Sequence, residues 1–308
     1  MLHSVPNFDF MGRTKLYSAI FSAVMILGSF LLLAFKGLNL GLDFTGGTEI
    51  EVEYSQPVSL EDVRVTLKGT PFADASIQHF GRPTEVLIRI PPNESAGKSE
   101  LGQTLMTALH KGSVDVSLKR VDDVGAQVGE ELRDKSGAAL IYAIILLLIY
   151  ITYRFKFKFA LGAVLAMMHD PIIILGMFSL TQLHFDLWAL AALIAVMGYS
   201  LNDTIVVYDR VREKFREVRV GTPAEVMNLA INETLDRTIL TSAATLVVVI
   251  ALAVFGGKLL APFSWALIVG IIVGTYSSIY VACSITLAMK VSREDFMDTT
   301  TEVEKDMP

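Results

Sequence analysis

One cysteine, Cys283, stands in the whole chain of 308 residues, so no disulfide can close within it. Positive charge is in short supply: 26 Lys and Arg against 32 Asp and Glu give a net charge of −6. With no interleaving of basic and aromatic residues, nothing invites nucleic acid. Charge of either sign is scarce, at 19% against 52% hydrophobic residues and a mean hydropathy of +0.51. That balance excludes a disordered chain and fits a polytopic membrane protein with one soluble portion. The first apolar run is followed by Lys36-Gly37-Leu38 and lacks a small-residue cleavage pattern, so it reads as a retained span. Neither H-E-x-x-H nor G-x-S-x-G occurs, and the chain is not expected to be an enzyme.

Long apolar runs are what the chain does have. They lie at about 16–35, 137–153, 159–180, 186–208, 237–255 and 262–289, each able to cross a bilayer as a helix. Six spans follow, one before a long soluble segment and five after it. The short loops carry uneven charge: Arg154, Lys156 and Lys158 in one, and Arg210, Arg212, Lys214, Arg216 and Arg219 in another. Loops 181–185 and 256–262 hold only Lys258. By the positive-inside rule both termini are expected in the cytoplasm, with residues 1–15 as a leader and 290–308 as a tail. Residues 36–136 then lie outside.

This outer segment alternates as a strand at 48–54 and opens a helix at Ser59-Leu60-Glu61-Asp62, ending near Lys68-Gly69. Strands are expected at 76–80 and 85–90 around Gly81-Arg82-Pro83, a helix at 97–111 and a last strand at 114–118. The order βαββαβ is that of the α+β ferredoxin-like, split βαβ fold.

The chemistry concentrates in the stretch Gly198-Tyr199-Ser200-Leu201-Asn202-Asp203-Thr204-Ile205-Val206-Val207-Tyr208, whose polar core lies where a span should be greasy. A carboxylate inside a span costs about 2.5–3.5 kcal/mol unless paired, hydrated or protonated. Asp203 is therefore either an ion- or proton-handling group or an acid reaching water at the helix end. Arg237, expected where the fifth span opens, is its natural partner, with Thr241 one turn further on the same face. An arginine there keeps an acid charged while desolvation opposes it. Arg237 can equally be a helix-start cation facing headgroups. His169-Asp170 falls halfway along the third span and precedes Pro171, which frees a carbonyl. That pair reads either as a proton-handling site or as a packing pair. Neighbouring helix residues point about 100° apart, which suits a metal or catalytic pair poorly. Gly198 and Ser200 are read as helix-packing residues. Before the first outer strand, Asp43-Phe44-Thr45-Gly46-Gly47-Thr48 supplies two adjacent glycines, a pivot or a plain connector, without phosphate-loop spacing.

Leu42-Asp43-Phe44-Thr45-Gly46-Gly47-Thr48 after the first span, with 198–203 and Asp236-Arg237-Thr238 in later spans, resembles the SecF family of bacterial protein-export membrane subunits. That family belongs to the resistance–nodulation–division superfamily, and the likeness covers essentially the whole chain. It implies a subunit of the cytoplasmic membrane that uses the proton-motive force to promote translocation and release of preproteins. It also implies a SecD-like six-span partner, a SecY-type channel and contact with unfolded preprotein on the outer face. The resemblance associates Asp203 and Arg237 with proton flow, with Asn202 and Thr241 beside them. Protons would be the coupling ion, with no metal or organic cofactor. A proton-driven exporter of small molecules or lipids from the same superfamily is the other reading, disfavoured by a single outer domain of about 100 residues.

Overall fold

The computed structural model describes residues 8–92, 98–110 and 115–296. Six helices among them are long and apolar enough to cross a membrane, so the polytopic expectation holds. In chain order the elements are α1 (Thr14–Phe35), α2 (Leu42–Thr45), β1 (Gly47–Tyr54), α3 (Leu60–Leu67), β2 (Ser76–Phe80), β3 (Arg82–Ile90), α4 (Lys98–Leu109) and β4 (Val116–Val124). Then come α5 (Ala126–Arg154), α6 (Phe157–Thr181), α7 (Leu187–Glu217), α8 (Pro223–Phe255) and α9 (Gly257–Tyr276). A π-helical segment, Ser277–Ala282, leads from α9 into α10 (Cys283–Ala288), the three forming one continuous last span. The chain divides into a membrane unit (residues 1–39, 140–183 and 188–308) and a sheet unit (40–139 and 184–187).

The sheet unit is a four-stranded antiparallel sheet in the order β2-β3-β1-β4. Alternation in β1 turns Ile50, Val52 and Tyr54 inward, where they meet Ile77, Val86, Ile88, Val63, Leu67, Leu105 and Leu109. Burying each such side chain contributes about 1.5–3 kcal/mol. On the opposite face Glu49 sits across from Arg89 in register, and the two pair at 2.6 Å. Arg89 also donates to the carbonyl of Leu40 at 2.7 Å. Ser59 caps α3 by accepting from the amide of Glu61. The expected strands are longer here: β3 starts at Arg82, so the turn shrinks to Gly81 with φ +85°, and β4 continues to Val124. Gly97, Lys111 and Val114, at the ends of two expected elements, lie outside the described residues.

In the membrane unit the inner helices are α6, α7 and the last span, while α1, α5 and α8 leave most of their apolar surface uncovered. Small residues set the close approaches. A Cβ on Gly176 would strike Ser29 of α1, and one on Gly270 would strike Val196 of α7. Several expected boundaries move, among them the start of α5, which lies at Ala126 rather than at 137. α7 runs 14 residues beyond Asp203 to Glu217, and α8 starts at Pro223 with a capping box between Thr222 and Glu225. Arg237 is thus well inside α8 rather than at its start. Nor is the N-terminal leader simply loose chain. The amides of Phe8 and Phe10 donate to the side chains of Asn232 and Asn228 at 2.8 and 2.7 Å, and Phe10 packs edge-on against Tyr280 at 5.7 Å.

Candidate functional site

Asp203 lies on the inner face of α7 and is 4% exposed. Its Oδ2 is buried and accepts no hydrogen bond. The expected ion pair with Arg237 does not close to contact distance, and the reason is helix phase; the guanidinium acts on the carboxylate at longer range. Arg237 lies on the exposed side of α8. Thr238, one residue on and about 100° round the helix, takes the inward position instead, with its own hydroxyl buried and unpartnered. Thr241 is exposed beside Arg237 and donates to the carbonyls of Arg237 and Thr238 at 3.0 and 3.1 Å. Asn202 is exposed too. Gly198 is not a packing residue within this chain: it is exposed, and a Cβ there would meet nothing within 4 Å. The result is a polar strip on α7 and α8, uncovered by the rest of the chain.

Ser200, expected to serve packing, holds a hydrogen-bond network together. Its hydroxyl donates to Oδ2 of Asp170 at 2.5 Å, and Ser277 donates to the same oxygen at 3.0 Å. Oδ1 of Asp170 faces Nδ1 of His169 at 2.9 Å. The 100° between neighbours on a helix therefore did not keep this pair apart. The imidazole reaches the neighbouring carboxylate through Nδ1, and the next residue, Pro171, lacks the N–H that would continue the helix ladder there. His169 and Asp170 are 2% and 0% exposed, and Nε2 of His169 has no partner. The network continues down the α7 face at helical spacing. Thr204 bonds Ser278 at 3.1 Å, and Tyr208 reaches Thr286 at 2.8 Å and the carbonyl of Ala282 at 3.0 Å. Sequence reading placed Thr204 and Tyr208 in the organising stretch but gave them no role, and it missed Ser277, Ser278 and Thr286. The pair Ser277-Ser278 in an apolar run was the signal available.

At the end of the bundle rich in Lys and Arg, Glu233 on α8 pairs with Arg210 and, at 3.0 Å, with Lys214 of α7. Arg154 pairs with Asp209 at 2.6 Å, and Lys158 with Asp295 at 2.7 Å. Burial pulls Asp295 upward, yet the Lys158 ammonium and the Ser292 amide together hold it below its usual range.

The glycine pair is embedded in the sheet unit. Asp43 accepts from the amide of Leu187 at 3.0 Å, and Phe44 stacks on Phe185 at 6.1 Å. Gly46 and Gly47 have φ of +64° and +111°. A Cβ on Gly47 would stand 2.4 Å from the carbonyl oxygen of Ile90, and one on Gly129 would stand 2.8 Å from the amide nitrogen of Gly46. Thr48 donates to Asp123 at 2.8 Å. Conformation and close approach thus require glycine at Gly46 and Gly47. Among the described residues no group of three or more His, Cys, Asp and Glu is placed to hold a metal.

Apolar helices of membrane length around a buried carboxylate, a His–Asp pair and a line of hydroxyls define a multi-pass membrane protein built to keep ionisable groups inside its bundle. Comparison with known proteins makes this particular. The family "Protein export membrane protein SecD/SecF, C-terminal" matches residues 104–292, and the "SecD/SecF GG Motif" matches residues 31–58. Protein translocase subunit SecF of Vibrio alginolyticus is 44% identical over 305 residues, 99% of this chain and 96% of that one. The SecF of Pseudomonas aeruginosa is 46% identical over 297 residues, 95% of each chain. A crystal structure of SecDF, a translocon-associated membrane protein from Thermus thermophilus, superimposes with a TM-score of 0.83 at 36% identity. It covers 94% of this chain, which spans only 40% of that longer one. The chain belongs to the SecD/SecF family of protein export membrane proteins.

Proposed function

We propose that the chain is an auxiliary subunit of the Sec translocase that uses the proton-motive force to promote preprotein translocation and release. The observation that carries this reading is Asp203: a carboxylate oxygen buried within a membrane helix, with no hydrogen-bond donor and no ion pair. Such a group is strongly biased by whatever approaches it, whether a proton, water or a cation. One proton crossing the potential releases about 2.3 kcal/mol per 100 mV, enough to shift a two-state equilibrium more than tenfold. No enzymatic step and no cofactor is invoked.

Arg237, Asn202 and Thr241 face outward from a single chain whose surroundings are apolar, and an arginine exposed to lipid costs about 2.5–3.5 kcal/mol at mid-membrane. A SecD-like six-span subunit covering this strip removes that cost and brings Arg237 into the proton path. On this reading the sheet unit adopts the ferredoxin-like arrangement on the extracytoplasmic side, where it meets unfolded preprotein emerging from a SecY-type channel. Both termini and the Arg- and Lys-rich end of the bundle lie in the cytoplasm. The test is proton uptake by vesicles holding this chain together with its SecD-like partner. Uptake is expected for the pair and lost in Asp203→Asn. Unchanged uptake by that variant would overturn the role of Asp203, and uptake by the chain alone would overturn the need for a partner.

A further inference from the structure

We propose that the His169–Asp170 pair is a second proton-binding site in the membrane unit, and that the π-helical segment of the last span reads whether it is occupied. The inference rests on the proton-coupled reading above but uses a different carboxylate. Asp170 takes three hydrogen bonds, from Nδ1 of His169 and from the hydroxyls of Ser200 and Ser277. With its Nδ1 proton directed at Asp170, the imidazole leaves Nε2 as a buried, unpartnered lone pair. A proton can enter at that nitrogen or on the carboxylate, and the bond between the two groups lets them share it.

Few other ionisable groups face it. Tyr276 of α9 lies 6.2 Å from the imidazole, ring to ring, and is fixed to α1 through Ser22 at 2.9 Å and the carbonyl of Ser18 at 2.7 Å. α1 carries only Lys15 and Tyr17 as ionisable side chains within its helix, both in its first turn. Asp203 stands on the α7 turn after Ser200, Tyr280 packs tilted against Tyr276 at 5.3 Å, and Cys283 is buried where α10 begins.

The link to the π segment is a shared donor, the hydroxyl of Ser277. The carbonyl of Gly274, just before the segment, takes the hydroxyls of Ser277 at 3.1 Å and Ser278 at 2.8 Å. Ser277 is therefore divided between Asp170 and the opening of the helix ladder. As a carboxylate, Asp170 draws that hydroxyl toward itself. Once protonated it can donate to Ser277 instead, whose own proton then goes wholly to Gly274. π segments are single-turn insertions of marginal stability that gather at functional positions, so a change of this size suffices to favour or disfavour one. Tyr280, inside the segment, packs on Phe10, whose amide is held by Asn228. A shift in the segment thus reaches the N-terminal strap.

The test uses the purified full chain in lipid nanodiscs with three variants, Asp170→Asn, Asp203→Asn and Ser277→Ala. The first readout is infrared difference spectroscopy between acid and neutral pH. A carboxylic-acid or imidazolium band should disappear in Asp170→Asn and persist in Asp203→Asn. Ser277→Ala, which keeps the pair intact, should move the midpoint of that band. The second readout is the protection of amides 277–282 relative to their intrinsic, base-catalysed exchange rates, expected to change with pH by about tenfold in the native chain and to become insensitive in Asp170→Asn. Bands and exchange unaltered by Asp170→Asn, or a midpoint unmoved by Ser277→Ala, would overturn the inference. Since Asp203→Asn is scored separately, either site can fail without the other.

Discussion

The two units bury very different interiors. In the sheet unit Thr48 and Ser136 are the only polar side chains buried among the described residues, and the core is otherwise Ile, Val, Leu, Phe, Tyr and Ala108. The membrane unit buries His169, Asp170, Ser200, Asp203, Thr204, Ser277, Ser278 and others. The contrast follows from the surroundings of each. Water outside the sheet unit makes apolar burial the main stabilising term. Lipid outside the membrane unit is as apolar as leucine, so side-chain burial gives little, and close packing and interhelical hydrogen bonds carry more. The polar interior of the membrane unit is then available for function at small cost in stability, while the sheet unit can hold shape and little else.

That contrast is open to direct attack. The largest effect is expected from Ile88→Ala, a fully buried residue in β3. Removing it should cost about 2–5 kcal/mol, read as lost amide-exchange protection across β1 and β3. An effect below ~1 kcal/mol would mean that the sheet core is loosely packed.

Next in size is an acid dependence. Burial first, and the nearby Arg89 guanidinium second, hold His184 down at about 4, and its Nε2 lies 2.5 Å from the side-chain nitrogen of Gln78. Gln78 can only donate there, which requires a neutral imidazole. The unfolded chain takes up this proton near 6.5. A depressed folded value therefore gives stability that is complete above about 6.5 and lost as pH falls toward about 4. The loss is at most about 3 kcal/mol. Denaturant midpoints of the sheet unit across that range should fall with acid, and His184→Gln should flatten the profile.

The smallest effect belongs to the membrane unit. Thr204→Val keeps shape and removes a buried hydroxyl bonded to Ser278. Thermal unfolding in nanodiscs should shift by an amount equivalent to about 0.6 kcal/mol. A loss beyond ~2 kcal/mol would make the polar seam a stability device and erase the contrast.

Much of this was legible in the residues. Thr48-Glu49-Ile50-Glu51-Val52-Glu53-Tyr54 shows its wet and dry faces because one side meets water, and β1 lies where that alternation puts it. The six spans are legible from length and hydropathy alone. Which way a span faces is not, because its inner and outer sides are both apolar and the periodic signal of a water-soluble helix is missing. Arg237 illustrates the limit: its type and distance from Asp203 suggest a pair, but the phase of α8 turns it outward and turns Thr238 in. The π segment left only the Ser277-Ser278 pair as a trace, since one extra residue in a helical turn alters no composition. The strap at Phe8 and Phe10 was hidden because its partners, Asn228 and Asn232, are more than two hundred residues away.

The coupling of the proton gradient to export proposed for Asp203 stands or falls on a single assay. Export of a reporter protein is followed with and without proton-motive force, in membranes matched for the amount of this chain. Asn preserves the size and hydrogen-bonding capacity of Asp203 while removing its titratable proton, so insertion and assembly should survive. Without a protonation step the gradient has no differential free energy by which to select a conformation. The account predicts that Asp203→Asn keeps basal export and loses the stimulation by the proton-motive force. Full force-dependent stimulation in that variant would contradict it.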